Sequence, residues 1–310
     1  MANKNGFALI VVIWVISLLS IMAASFSETT RRELNITQAL KSNASAITIA
    51  ETWFNLAQVM IKHQDPYKRW QGNGKIYQIE QENAQIRVKI VAESGKVDIN
   101  FAKDTLLKAV ISFAVSDHKQ QLQLFDAILD WRDPDNKRRK QGAEANDYQD
   151  LNLNYQPSNR PFESIDELQL VAGMTPEVFK LIEPLFTVYS QQADVNIRLA
   201  SKKLLQIMAS QLAENNTHDL SIEQILNENN DIDADIAAIP LDQMYTIIVE
   251  THLQDNSAAS VQGVIKFDAN IQGNTVSVLD WKTSQDATSL FNLNSDTEII
   301  TVKNEFTINY

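Results

Sequence analysis

The feature that most limits what this chain can fold into is its first sixty residues. Phe7 to Phe26 carries no charged side chain and reads FALIVVIWVISLLSIMAASF, long enough to cross a bilayer as a helix. Neither glycine nor proline occurs after it until Pro66. Leu34, then Leu40, Ala44, Ile47, Ala50, Phe54, Ala57 and Ile61, keep a helical spacing beyond the apolar run. The expectation is one unbroken helix of about 55 residues, roughly 80 Å long.

Three readings of the N-terminus compete. It could be a cleaved secretory signal, with Lys4 as its positive end and Ala23-Ala24-Ser25 as a small-residue cleavage site. It could be a plain anchor. Or Met1–Gly6 could be a short polar leader, cut just before the apolar run. A cleaved signal has no reason to continue smoothly into a long helix, and polarity changes abruptly at Gly6-Phe7, which favours the third reading. Charge on either side does not orient the segment, because Arg31 and Arg32 outweigh Lys4.

Composition excludes several classes. The net charge of -12 argues against a nucleic-acid partner, since phosphate backbones need a basic surface. Cysteine is absent, which removes disulfides, thiolate metal sites and cysteine nucleophiles.

After Pro66 the pattern changes. Gln71-Gly72-Asn73-Gly74 reads as a turn. Lys75–Glu80 and Ala84–Ala92 read as two strands, with a hairpin turn at Gln81-Glu82-Asn83 and a further extended piece at Lys96–Asn100. Residues 101–240 read mostly helical. Inside them lies an echo: Val97-Asp98-Ile99-Asn100-Phe101-Ala102 precedes Leu106-Leu107, and Val195-Asn196-Ile197-Arg198-Leu199-Ala200 precedes Leu204-Leu205. Each copy predicts an extended segment leading into a helix with a polar cap, and the pair predicts a two-lobed helical domain. Ser164-Ile165-Asp166-Glu167 fits a capping box, with Gly173 placed to end its helix. Thr175-Pro176-Glu177 opens the next helix. In an acidic chain this helical hairpin reads as a packing unit and not a nucleic-acid clamp. Ser221-Ile222-Glu223-Gln224 fits another capping box. Beyond Pro240, Tyr245, Ile247, Val249 and Thr251 alternate, as do Val276 and Val278, with a turn near Gln272-Gly273-Asn274. The tail, Thr297 to Tyr310, has strand-like composition without an assigned place. Strands on both sides of a helical block imply an insertion into a sheet domain.

The fold expected is therefore α+β: a long N-terminal transmembrane helix, a pilin-like antiparallel sheet domain, and a large mostly helical domain inserted between its strands. In segments, 1–6 is a leader, 7–26 the transmembrane part of the helix and 27–65 its continuation beyond the membrane. Residues 66–100 form the first part of the sheet, 101–240 the insertion, and 241–310 the second part of the sheet with the tail.

The densest polar chemistry is Asp126, Asp130, Asp133, Asp135, Glu144, Asp147 and Asp150. Carboxylates this close repel one another unless cations intervene, and an oxygen-only set suits calcium. Asp133, Asp135 and Glu144 fall at positions one, three and twelve of an EF-hand-like loop, but Lys137 and Arg138 stand where a ligand and a glycine belong, so a true EF-hand is excluded. The run Lys137-Arg138-Arg139-Lys140 offers the other solution, direct neutralisation by basic side chains. Catalytic signatures are lacking: His63, His118, His218 and His252 are scattered without metal-ligand spacing, and there is no nucleophile elbow or phosphate loop. Trp53, Trp70, Trp131 and Trp281 read as core or interface residues. The chain is expected not to be an enzyme.

Gly6-Phe7-Ala8-Leu9-Ile10 resembles the cleavage site of type IV pilins and type II secretion pseudopilins, whose peptidase cuts after the glycine and methylates the new N-terminal phenylalanine. Most members carry glutamate five residues after the cut, where this chain has Val11; among them that loss is typical of minor pseudopilin K. Asp130-Trp131-Arg132-Asp133-Pro134-Asp135, followed by Gly142-Ala143-Glu144 and Tyr148, is similar to the acidic loop of pseudopilin K, which binds calcium in characterised members. The resemblance implies Gly6 and Phe7 as processing residues and calcium held by Asp130, Asp133, Asp135, Glu144 and Asp147. It implies a bacterial inner-membrane protein with its bulk in the periplasm, at the tip of the type II secretion pseudopilus. Its partners would be minor pseudopilins I and J, the rest of the pseudopilus and a prepilin peptidase, with secretin or secreted substrates as further contacts. The rival from another class is a membrane-tethered periplasmic binding or calcium-dependent adhesion protein, and an anchored hydrolase stands behind both.

Overall fold

The computed structural model describes residues 5–214, 242–268, 276–285, 287, 289–292 and 299–302, with 5–8 and 212–214 as backbone alone. Helix α1 runs unbroken from Asn5 to Ile61. Among the described residues it is the one helix long and apolar enough to cross a membrane. Its first half is bare, with apolar side chains from Leu9 to Leu40 exposed. Ala46, Ala50, Trp53, Phe54, Ala57, Met60 and Ile61 are buried, at the spacing that makes one stripe on a helix. The helix stops ahead of Pro66, and the Met60 carbonyl, left over at its end, accepts the N–H groups of His63 and Trp70.

That stripe lies on a sheet of six strands: β1 (Asn73–Gln81), β2 (Ala84–Ala92), β5 (Met244–Leu253), β6 (Ala258–Phe267), β7 (Val276–Ser284) and β8 (Ile299–Val302), in the order β7-β6-β5-β2-β1-β8. Five strands are antiparallel neighbours; β8, from the tail, pairs with β1 in parallel, Ile76 opposite Ile299. The register carries a continuous apolar row beneath α1, Tyr77 opposite Val88, Val88 opposite Val249, and Val249 opposite Val261. The β1 and β2 hairpin matches the alternation in the sequence. Strand β6 was not anticipated, although Val261, Ile265 and Phe267 alternate within it. The turn at Gln272-Gly273-Asn274, the box at Ser221 and the tail beyond Val302 lie outside the described residues.

Between β2 and β5, which are hydrogen-bonded neighbours, the chain makes its insertion. It contains α2 (Asp104–Ala114), α3 (His118–Arg132), α4 (Ala145–Asp150), a tight turn of helix at Ile165–Leu170, α5 (Pro176–Ile182) and α6 (Lys202–Glu214). Ser164 and Glu167 make the expected capping box, and Thr175 caps α5. Two points correct the sequence reading. The extended piece expected at Lys96–Asn100 is only β3 (Val97–Asp98), paired in parallel with β4 (Phe186–Thr187). Among the described residues the insertion has one core and not two lobes: Leu107, Ile111, Ile128, Phe186, Leu204 and Leu205 belong to one apolar cluster, which Val97 and Ile99 join ahead of the Phe101 boundary.

The echo is real in the backbone. Asp98 Oδ1 accepts the N–H of Asn100, and Asn196 Oδ1 that of Arg198, so each copy starts with the same side-chain turn. In each copy a helix opens six residues after that side chain, at Asp104 and at Lys202. The polar cap holds only for the second copy, where Ser201 Oγ accepts the Leu204 N–H. Lys103, at the same place in the first, has only donors to offer and reaches Asp194 instead.

The insertion is fixed to the sheet by a buried carboxylate. Glu93 accepts from the hydroxyls of Thr187 on β4 and Thr246 on β5, and from Lys96 Nζ at 2.7 Å. Beside it, Ser94 N–H donates to the Asp242 carboxylate at 2.8 Å, which brings the two ends of the insertion together.

Candidate metal centre

The acidic loop hangs from the end of α3. Asp133 terminates that helix, its N–H returning to the Leu129 carbonyl, and Asp135 Oδ1 accepts the Lys137 N–H to turn the chain. The loop comes back over α3 at Gly142, where a Cβ would stand 1.9 Å from Asp130 Oδ2, so only glycine allows this approach. Glu144 then precedes α4, and Asp147, in the first turn of α4, accepts the Glu144 N–H at 2.9 Å. Trp131 and Tyr148 close the apolar side beneath, ring centroids 6.0 Å apart.

This folding separates the five residues expected as ligands into two groups. One carboxylate oxygen each of Asp133, Asp135 and Glu144 lies within 4.8 Å of the others. Asp130 is fully buried and faces Arg139, taking its backbone N–H and, at 2.7 Å, its guanidinium. Asp147 serves the start of α4 and lies 3.3 Å from Arg138 Nη1. Asp126 accepts the Gln141 N–H.

Glu144 is the anomaly. It is only 6% exposed, and beyond the capping-box approach of the Asp147 N–H no hydrogen bond reaches either carboxylate oxygen. Burial first, then Asp130, Asp133, Asp135 and Asp147, push its carboxyl up to about 7. A buried carboxylate without a partner is costly, and a cation between three carboxylates is the direct remedy. The basic run supplies part of the balance: Arg139 bridges Asp130 and Asp133, while Lys137 stands 4.0 Å from Asp135 in solvent. None of these ion pairs reaches Glu144.

Elsewhere, Gly6 and Phe7 lie in the backbone of the first turns of α1, and Val11 is exposed on that helix. His63 and His118 make local contacts to Asp65 and Gln121, and His252 bonds the Ala287 carbonyl on the outer face of the sheet. His218 lies outside the described residues.

Comparison with known proteins points one way. Residues 92–191 match the family model described as type II secretion system (T2SS), protein K. The type II secretion system protein K of Klebsiella pneumoniae is 21% identical over 203 residues, 59% of this chain and 62% of that protein, so the match spans less than two thirds of the relative's length. A chain of the crystal structure of the GspK-GspI-GspJ complex from the enterotoxigenic Escherichia coli type 2 secretion system shares the fold. Its TM-score is 0.53 at 17% identity, over 83% of this chain and 99% of that one. The resemblance to pseudopilin K is borne out by this agreement, the family match taking in the acidic loop.

Proposed function

We infer that this chain, whose residues 92–191 match protein K of the type II secretion system, is a minor pseudopilin of that system, anchored in the inner membrane by α1 and carrying its sheet and insertion in the periplasm. The observation that supports this most is the combination of a long, half-bare helix, a sheet packed on its far end, and an insertion between adjacent strands that falls on the family match. A helix whose first half is apolar and uncovered needs either lipid or other helices around it. A pseudopilus supplies both in turn: the membrane before assembly and a helix bundle after it. The relative was solved in a GspK-GspI-GspJ complex, which supports the I and J proteins as neighbours, and the bare face of α1 is where we place that contact. The bulk of the insertion suits the end of a filament better than its shaft, where each subunit must pack on all sides. The role is structural, and the prepilin peptidase would cut at Gly6-Phe7.

Calcium is the cation we assign to the acidic loop. The donor set is oxygen only, and the buried, unpartnered Glu144 carboxylate gives it a reason to bind. Asp133, Asp135 and Glu144 would hold it, with Gly142 keeping the loop closed. When bound it would supply positive charge that no side chain brings to Glu144, and so fix α3, the loop and α4 together.

Because the chain contains no cysteine, single introduced cysteines report without background. Cysteines placed on α1 should cross-link to minor pseudopilins at the end of the pseudopilus, and the mature chain should begin at Phe7. Cross-links spread along the shaft would overturn the tip assignment, and a mature start near Ser25 would overturn the pilin-like reading altogether. For the metal, calcium should raise the melting temperature of the detergent-solubilised chain. Asp133→Ala with Asp135→Ala should remove that shift, and identical curves in calcium and in chelator would end the assignment.

A further inference from the structure

The basic run of the acidic loop is unevenly used. Lys137 is exposed and distant from Asp135, which makes its ion pair weak. Arg138 binds the Gly142 carbonyl and Asp147, and is paired with none of the three clustered carboxylates. Arg139 alone reaches into the cluster. Its guanidinium contacts both Asp130 Oδ1 and Asp133 Oδ2.

Those two partners differ. Asp130 is fully buried and also takes the backbone N–H of Arg139, so this contact is part of the fold. Asp133 is partly exposed and belongs to the cluster that also holds Asp135 and the buried, unpartnered Glu144. A divalent cation placed there would share Asp133 with a guanidinium, and two positive groups on one carboxylate repel.

We propose that Arg139 is a built-in competitor for the cation: it stays on Asp130 in both states and gives up Asp133 when metal arrives, so that this loop's own arginine sets the affinity of the site. The inference rests on the calcium reading above. The competition makes the loop self-consistent without metal, at the cost of weaker binding. Without metal, Arg139 bridges Asp130 and Asp133 and offsets one of their two negative charges, and Glu144 is the group that gains a counter-charge on binding.

The test is calcium titration by calorimetry on the chelator-stripped, detergent-solubilised full chain. The wild type is compared with Arg139→Lys, Arg139→Gln and the double variant Asp130→Asn with Arg139→Gln. The double variant removes the buried carboxylate together with its partner, so a loss of fold in the single Gln variant does not decide the matter. Both Gln variants that remain folded by circular dichroism should bind calcium about tenfold more tightly than wild type. Arg139→Lys, which keeps the charge, should stay near the wild-type affinity. Unchanged or weaker binding in the folded Gln variants, with wild type still binding, would overturn the competitor role and leave the calcium site standing. No binding by any of the four chains would overturn both.

Discussion

Phe54 on α1 and Trp281 on β7 meet edge to face, ring centroids 4.8 Å apart, across a strand that contributes no side chain between them. The residue in the gap is Gly263 of β6, directly opposite Trp281 in the ladder. A Cβ at Gly263 would stand 2.8 Å from the Phe54 ring and 3.1 Å from that of Trp281. The helix is thus seated on the sheet by two aromatic rings sharing one glycine.

Gly263→Ala should therefore unseat α1 and cost about 1–3 kcal/mol, the usual penalty for overpacking. Urea unfolding of the solubilised chain measures it. Trp281→Ala should relieve part of the strain, so the double variant should lose less than the two single losses combined. Strict additivity would show that the rings do not communicate through this site.

Removing the Glu93 carboxylate should be among the most damaging single changes. Glu93→Ala leaves Lys96, itself largely buried, without its counter-ion and two threonine hydroxyls without their acceptor. Breaking a buried pair in this way costs about 3–5 kcal/mol. Limited proteolysis should show cleavage near residues 93–96 before any cut within the strands, because the junction loosens first.

The acidic loop should make the metal-free protein sensitive to pH. Glu144 titrates at 4.5 ordinarily and at about 7 in the folded chain. Between those values the folded state keeps a proton that the unfolded state has released. Stability in chelator should then fall as pH rises from about 4.5 to 7, and level off above. Glu144→Gln should flatten that slope and abolish the calcium-induced melting shift. A variant that kept the shift would take Glu144 out of the ligand set.

At the other end of the molecule, Val11 allows a test of polarity in the filament. An incoming subunit's carboxylate at this position can pair with the N-terminal amine of the subunit ahead, a cation that is costly to leave unpaired inside a bilayer. A tip subunit has nothing ahead of it and can lack the carboxylate. Val11→Glu should leave secretion within about twofold of wild type, whereas acylating the Phe7 amine that the proposed cut after Gly6 would free should impair assembly. A severe secretion defect from Val11→Glu would count against the tip position.

Local pattern carried much of this fold. The β1 and β2 hairpin, the unbroken α1 and the caps at Ser164 and Thr175 depend on neighbours in the chain, and they were legible there. Strand β6 was passed over because Gly263 interrupts its alternation at the point where Phe54 needs room. Strand β3 proved shorter than expected because its only partner among the described residues is the two-residue β4, some ninety residues away. At the candidate site, spacing picked out Asp133, Asp135 and Glu144, which the fold brings together. The family resemblance also offered Asp130 and Asp147, which the fold commits elsewhere. The difference depends on Arg139 swinging under the loop, and that depends on the close approach at Gly142, which no count along the sequence reveals.

The position of the insertion also governs when the sheet can exist. Roughly 150 residues separate Ala92, the end of β2, from Met244, where its partner β5 begins. At about 5–20 residues per second of synthesis, β2 spends on the order of ten seconds with one edge open. The α2 and α3 hairpin and the loop below it need no residue of β5 and can settle during that wait. Once Ser94 and Asp242 have met, β5 emerges beside β2 with the long loop already closed, and the entropy of closing it is no longer charged to the sheet. Chain order thus makes the central strand pair a late event, since β2 and β5 can meet only after the inserted residues between them have been made.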